Sequence, residues 1–132
     1  MESSKPRVLI ITDWYFPGYK AGGPITSVYN MVQSLGHEID FKIYTRNTDW
    51  FDSTPYSLVS DEWLPCENAL VYYSSGGHIQ KLTSIISDLE SNSILYVNGF
   101  YSPLFSLFPM ILGMMSTKLK SLMVAPRGML NK

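Results

Sequence analysis

The sequence predicts an α/β fold built on a doubly wound parallel sheet, and two observations support this prediction. Short, continuous apolar runs alternate along the chain with longer segments whose apolar residues recur at helical spacing. Continuous apolar runs are typical of parallel strands that are buried on both faces. Because strands and helices alternate, we expect helices to cover both faces of the sheet.

The first strand is predicted at Arg7–Thr12, and a helix is predicted to begin near Pro24. Gly36 is predicted to close this helix at a positive φ, where glycine has no Cβ penalty. Between strand and helix lies an opening loop, residues 13–23, which exceeds the usual βα connection of about 2 to 6 residues. The apolar stripe of the helix consists of Ile25, Val28, Tyr29, Val32 and Leu35.

The remaining elements continue the alternation and predict one Rossmann-like domain with five strands over residues 1–132. Residues 46–67 show no clear periodicity and are predicted as an excursion with at most one short strand or helical turn. The later strands are predicted at Ile39–Thr45, Ala69–Ser74, Ser93–Val97 and Lys120–Ala125. The later helices are predicted around the stripe Ile79, Leu82, Ile85, Ile86 and Leu89, and from Ser102–Pro103 to Met115, with a kink at Pro109.

Composition narrows the function classes. The net charge of −1 gives no basic field, so nucleic acid is not a predicted partner. Cys66 is the single cysteine, lacks metal-ligand neighbours and is expected to be a small buried thiol. No apolar run suits a signal peptide or a membrane span, so a cytoplasmic location is expected. Charged residues make up 16%, against about 25% in ordinary soluble domains, which suggests a surface partly covered by a domain, partner or membrane.

Ligands of open α/β sheets bind outside the carboxyl ends of the strands, which directs attention to the opening loop. Gly22 and Gly23 precede a helix N-terminus, whose free N–H groups and dipole favour an anion. Lys20 could add a positive charge and Tyr19 a flat surface for a ring. The alternative is that the glycine pair only permits a tight turn into the helix. The loop matches neither the dinucleotide G-x-G-x-x-G pattern nor a Walker A loop, which disfavours NAD binding and ATP hydrolysis.

Other strand ends carry further candidates. Asp13 could accept a sugar hydroxyl or act as a base, or could bond loop N–H groups. Asn98 could recognise a hydroxyl or satisfy loop backbone, and Tyr101 belongs to the same cluster. Arg127, between Pro126 and Gly128, suits a phosphate or carboxylate.

Three further polar sites are predicted to have ordinary structural roles. Arg46 and Asp49 are expected to pair with each other. His37 and His78 lie at helix ends without a catalytic partner in the sequence, so we expect capping or solvated roles.

Four segments of the chain resemble the N-terminal domain of the GT-B glycosyltransferases of family 4, the group 1 type. These segments are RVLIITDWYFPGYKAGGPITSVYNMVQSLG, IDFKIYTRNTD, LYVNGFYSPLFSLFPMIL and MVAPRGML. The resemblance implies two facing Rossmann-like domains, one holding a sugar or lipid-linked acceptor and the other the nucleotide-sugar donor. It also implies transfer with retention, with no protein-bound metal and no cofactor besides the nucleotide-sugar. Gly22 and Gly23 would lie near the donor diphosphate, and Arg127 and Gly128 would contact donor or acceptor.

Two departures from the family limit the expectation. The acidic residue that follows the glycine pair in many members is absent, and neither histidine matches the family's cleft histidine, so no catalytic residue is assigned. The donor-binding half is also absent from this sequence, so we expect a fragment without transferase activity of its own. Two alternatives stay open: the acceptor-side subunit of a two-chain transferase, or a stand-alone nucleotide- or anion-binding module. The family's usual setting is polysaccharide synthesis, with peripheral contact to a membrane.

Overall fold

Six strands and three helices form an α/β Rossmann-like fold in the computed structural model, which describes residues 5–19, 22–49, 53–90, 93–98, 108–116 and 119–125. The strands are β1 Arg7–Thr12, β2 Asp40–Arg46, β3 Trp63–Cys66, β4 Ala69–Ser74, β5 Ser93–Asn98 and β6 Leu119–Ala125. The helices are α1 Gly23–Leu35, α2 His78–Ser87 and α3 Phe108–Met115.

The strands lie in the order β3-β4-β2-β1-β5-β6. All neighbouring pairs are parallel except β3 with β4, which run antiparallel. The predicted fold class is therefore confirmed, and all five predicted strands are present. The sixth strand, β3, comes from the excursion after β2 and caps one edge of the sheet.

Each face of the sheet carries its own apolar core. On one face, Val28 and Val32 of α1 pack on alternate residues of β1, β2 and β4, such as Ile10 and Ile43. On the other face, Leu82 of α2 packs with the intervening residues of β1 and β5, together with α3. Since β1 is covered on both faces, five of its six residues are buried in succession. That explains the continuous apolar run, and each fully buried aliphatic side chain contributes about 1.5–3 kcal/mol.

The predicted end of α1 is right in position and wrong in mechanism. Gly36 has φ −62°, an ordinary right-handed helical value, so it is not a left-handed cap. Glycine is needed there because an added Cβ would collide with the side chain of Asn68 and lie 2.7 Å from the carbonyl oxygen of Val32. The sequence suggested a backbone conformation, whereas the constraint is close approach between α1 and the turn before β4.

The later helices differ from the expectation in detail. In α2, Leu82 and Ile86 are buried, but Ile79 is 55% exposed and lies off the packed stripe. The described part of α3 begins at Phe108, and the predicted start at Ser102–Pro103 lies outside the described residues. Among the described residues, no helix is long and apolar enough to cross a bilayer.

Candidate functional site

The strand order places a crevice between the carboxyl ends of β1 and β5. From β1 the chain first adds β2 on one side and later β5 on the other, so the winding reverses at this point. A reversal of this kind opens a crevice at the carboxyl edge of an α/β sheet, and ligands bind there. The last residues of the two strands meet here: the side-chain amide of Asn98 donates a hydrogen bond to Thr12 Oγ1 at 3.2 Å, and both residues are buried.

An ion pair lies beside this crevice. Arg46, at the end of β2, places Nη2 3.2 Å from Oδ1 of Asp13, which directly follows β1. The guanidinium also lies 5.7 Å from the centroid of the Trp14 ring. Because Asp13 is largely buried, a cation at this distance offsets much of the cost of keeping its carboxylate charged. Asp49, which was expected to pair with Arg46, is buried and accepts a hydrogen bond from the backbone N–H of Tyr19 at 3.0 Å.

The first part of the opening loop, residues 13–18, packs tightly against the rest of the chain. Tyr15 is 1% exposed, and the Tyr73 hydroxyl donates to the carbonyl oxygen of Phe16 at 2.5 Å. Gly18 turns back to donate to the Tyr15 carbonyl at 2.9 Å. An added Cβ at Gly18 would collide with the Tyr56 hydroxyl, so any larger residue here would require Tyr56 to move. The loop is thus anchored on the α1 side of the sheet from β4 and from the excursion after β2.

The described end of the loop, Gly22 and Gly23, is open. Gly22 is the N-cap of α1 with φ 73° and ψ −118°, a conformation that glycine adopts readily and other residues do not. A Cβ added to Gly22 or Gly23 would find no other described atom within 4 Å. Within the described part of the chain, no side chain caps α1 and no acidic residue occupies its first turn. An anion could therefore approach the backbone at the positive end of the helix dipole.

A second polar cluster lies at the carboxyl end of β4 and surrounds the start of α2. The buried hydroxyl of Tyr44 donates to Ser74 Oγ at 2.9 Å and lies 2.8 Å from Nδ1 of His78. Burial raises the pKa of Tyr44 to about 12. Burial, together with the positive charges of Arg46 and Lys81, lowers the pKa of His78, so its imidazole is neutral near pH 7.

Lys81 completes this cluster. Its ammonium lies 2.5 Å from Oδ1 of Asp61 and 3.4 Å from Ser74 Oγ. Asp61 also accepts hydrogen bonds from the backbone N–H and the hydroxyl of Ser75, at 2.9 and 2.6 Å. These bonds, first that from Lys81, hold the pKa of Asp61 at about 2. The expected solvated or capping role of His78 is therefore wrong, since its ring takes part in a side-chain network around the second glycine pair, Gly76 and Gly77.

Five of the nine predicted binding residues lie in the described part of the chain, and the structure brings most of them to one edge of the sheet. Asp13 and Asn98 flank the crevice, Gly22 and Gly23 form the open helix start, and Tyr19 presents a side chain that is 75% exposed. The other four lie outside the described residues: Lys20, Tyr101, Arg127 and Gly128.

The sequence analysis did not single out Thr12 and Tyr44, which shape this edge, and it gave Arg46 a different partner. One signal was available for Arg46, because Arg46 and Asp13 each directly follow a predicted strand and so are expected at the same edge of the sheet. Among the described residues, no group of three or more His, Cys, Asp or Glu could hold a metal ion. Cys66 is half-buried rather than buried, and burial raises the pKa of its thiol.

Comparison of the chain with protein-family models, with curated proteins and with solved structures found no match. The chemistry of the carboxyl edge therefore has to be argued from its own groups. The crevice offers a backbone surface for an anion beside a buried carboxylate and a buried amide, both suited to hydroxyl groups. Such a combination fits a ligand that carries phosphate and sugar together.

Proposed function

We propose that this chain is the N-terminal, acceptor-side domain of a retaining glycosyltransferase. The whole enzyme would transfer a sugar from a nucleotide-sugar to a glycan or lipid-linked acceptor. The observation that carries the proposal is the open glycine pair at the start of α1, next to the crevice where the winding of the sheet reverses. The resemblance of four chain segments to family 4 transferases of the GT-B type supports the same assignment.

In this proposal the groups at the crevice divide between donor and acceptor. Gly22 and Gly23 let the donor diphosphate approach the helix start, where backbone N–H groups and the dipole offset its negative charge. Asp13 and Asn98 hold hydroxyl groups of the reacting sugars, and Arg46 fixes the Asp13 carboxylate. The exposed Tyr19 ring offers a stacking surface.

The domain cannot complete the reaction alone. The leaving diphosphate needs preorganised positive charge in the transition state. At the described part of the crevice the nearest guanidinium, Arg46, is already paired with Asp13. We therefore assign the donor-binding groups to a second domain or to a separate subunit. The proposed setting is the cytoplasm, with peripheral contact to a membrane when the acceptor is lipid-linked.

Nuclear magnetic resonance with the ¹⁵N-labelled 132-residue chain tests the proposal. Titration with UDP and with GDP should shift the backbone amide signals of Gly22 and Gly23 and the side-chain amide of Asn98. The expected Kd is about 1 mM or weaker, because only half of the site is present. The amides of Gly76 and Gly77 serve as the internal control and should not move, because the Gly76 N–H already donates to Ser74 Oγ at 3.3 Å and the neighbouring Lys81 is paired with Asp61.

The outcomes separate the proposal from its alternatives. Purified chain incubated with nucleotide-sugars and acceptor should transfer no sugar. Robust transfer would contradict the assignment of the donor-binding groups to a second domain or subunit. Nucleotide binding at about 1 μM would instead identify a stand-alone binding module. Stable co-purification with a second chain that binds the donor would favour the two-subunit form. Absence of any shift at Gly22 and Gly23 with either nucleotide would refute the proposal.

A further inference from the structure

A second cavity lies at the opposite edge of the sheet, away from the crevice. It is a groove of about 610 Å³ lined by the first residues of four strands, Arg7, Asp40, Ala69 and Ser93. One side is the end of α2, with Ile85 and the following residues 88–90. None of the groups at the candidate functional site lines this groove, so an inference about it is independent of the proposed function.

The floor of the groove is a row of side chains across four strands. Leu9, Lys42, Leu70 and Pro65 stand opposite one another on β1, β2, β4 and β3. Leu9 is buried under α2, whereas Leu70 is 37% exposed. The wall toward the carboxyl ends is aromatic: Trp63 packs edge-on against Tyr72 at 5.3 Å and carries the Lys42 ammonium 5.2 Å from its ring centroid.

The groove exists because of how the chain crosses the sheet. Right-handed connections place α1 and the excursion after β2 on one face, where Tyr56 packs against Tyr73. On the other face α2 covers β1 and β5. No described residue covers the amino-terminal halves of β2 and β4, or the adjoining carboxyl-terminal half of the antiparallel strand β3, on that face. Parallel strands are normally covered by helices on both faces, so an additional helix would fit at this position.

The charges around the groove select the kind of helix that fits. Four carboxylates line it, against two cationic side chains: Asp40, Glu67, Asp88 and Glu90 against Arg7 and Lys42. Two of the carboxylates already have cationic partners, since Arg7 pairs with Glu90 at 2.8 Å and Lys5 lies 4.0 Å from Asp40. The Lys42 ammonium lies over the Trp63 ring, so Glu67 and Asp88 are the carboxylates that the proposal uses. Asp88 is the C-cap of α2, which has no basic residue in its last turn. The negative end of the helix dipole therefore adds to the carboxylates on that rim and favours a cation.

We propose that this groove docks a basic amphipathic helix from a partner segment. The apolar stripe of that helix would pack on Leu70 and Pro65, and Lys or Arg on its flanks would face Glu67 on one rim and Asp88 on the other. A second copy of this chain does not supply such a helix from its described residues. α1 and α3 contain no Lys or Arg, and α2 contains Lys81 alone, which is engaged with Asp61.

Fluorescence anisotropy with a labelled synthetic peptide tests the proposal on the full chain. The probe is a helix of about 14 residues with Leu along one face and Lys on both flanks. It should bind with a Kd of about 10 μM and more weakly at higher salt. Leu70→Lys should weaken binding by about tenfold or more, since it places a like charge on the exposed floor. The matched control is Met123→Lys, a comparably exposed position on the opposite face of the sheet.

Charge variants test the rim separately. Glu67→Gln with Asp88→Asn should weaken binding and flatten its salt dependence. Glu38→Gln with Glu62→Gln is the matched control, because it makes an equal charge change at two exposed residues that do not line the groove, and it should leave binding unchanged.

Far-ultraviolet circular dichroism and melting temperature verify that each variant is folded. The proposal is overturned if the peptide shows no saturable binding, or if a shuffled peptide of the same composition binds equally. It is also overturned if sedimentation shows the chain dimerising through Leu70, because the groove would then serve a second copy.

Discussion

The two glycine pairs of this chain have the same place in the fold and different surroundings. Gly22–Gly23 follows β1 and begins α1, and Gly76–Gly77 follows β4 and precedes α2. At the first pair an added Cβ meets nothing within 4 Å. At the second pair, a Cβ at Gly76 would also meet nothing within 4 Å, whereas a Cβ at Gly77 would lie 3.6 Å from Gln80 Oε1 and 3.8 Å from Lys81 Cε. What sets the second pair apart is the hydrogen bonding around its turn, which joins the side chains of Ser75, Lys81 and Asp61.

The difference teaches that a glycine pair before a helix does not by itself specify a ligand site. A helix start favours an anion only where the approach is open, because a paired Lys and carboxylate nearby already satisfy the local charges. At α2 that pairing is Lys81 with Asp61. At α1 no described side chain has that role. We therefore infer a ligand role for the first pair and a structural role for the second.

The largest expected effect comes from replacing the glycines themselves. Gly22→Ala should lower the free energy of unfolding by about 2–3 kcal/mol, because φ 73° with ψ −118° is strained for any L-residue with a Cβ. Gly77→Ala should cost only about 1 kcal/mol, because φ 63° with ψ 39° is left-handed helical backbone. Urea unfolding measures both.

Gly77→Asn is the matched control, since asparagine tolerates the left-handed region better than alanine. It should be closer to the unsubstituted protein than Gly77→Ala. An equal or larger cost at Gly77 than at Gly22 would contradict the assignment of the more demanding conformation to the opening loop.

The next effect concerns the network that surrounds the second pair. Tyr44→Phe removes the hydroxyl that bonds Ser74 and His78, leaving buried polar groups without that partner, and should cost about 1–2 kcal/mol in urea unfolding. It should leave the nucleotide-induced shifts at Gly22 unchanged. Tyr72→Phe is the control, because the Tyr72 ring stacks on Tyr44 without a hydroxyl bond to this network. Loss of the Gly22 shifts in folded Tyr44→Phe would show that the two loops are not independent.

The two loops also show which features of the structure could be predicted from the sequence and which could not. Strand positions were predictable because β1 and β4 are short apolar runs, which leave a local pattern in the sequence; β1 is buried on both faces, and β4 is buried mainly on one. The Asp13–Arg46 pair was not predicted, although both residues follow or end predicted strands, because strand order decides which ends meet. The sequence analysis instead expected Arg46 to pair with Asp49, which is close to it in the sequence.

His78 and Gly36 are two further residues whose roles the local sequence pattern did not predict. The partner of His78 is Tyr44, 34 residues earlier, and an alternating strand pattern does not reveal which tyrosine hydroxyl points at which helix start. The reason for Gly36 is contact with Asn68, a packing constraint between segments far apart in sequence. Local patterns therefore predicted the elements, and long-range packing determined the site.

The smallest expected effect is a pH dependence of the free energy of unfolding, caused by His78 next to the Gly76–Gly77 pair. The folded-state pKa of His78 lies below its ordinary value of 6.5, first because of burial and then because of Arg46 and Lys81. The unfolded chain therefore binds a proton at His78 before the folded chain does. Stability is complete above the unfolded pKa and is lost as the pH falls from 6.5 through the lower folded value. Unfolding in urea at about pH 7.5 and about pH 5 should show this loss.

His78→Gln removes the titration and should reduce the loss between these two pH values without abolishing the fold. Asp61, the carboxylate nearest to this network, does not interfere, because its pKa shifts from 3.8 to about 2 and its contribution is lost only at lower pH. An identical pH dependence in the variant would show that His78 is not held in its neutral form by the network. The two glycine pairs would then differ only in how closely a ligand could approach the backbone, and not in the protonation of a neighbouring side chain.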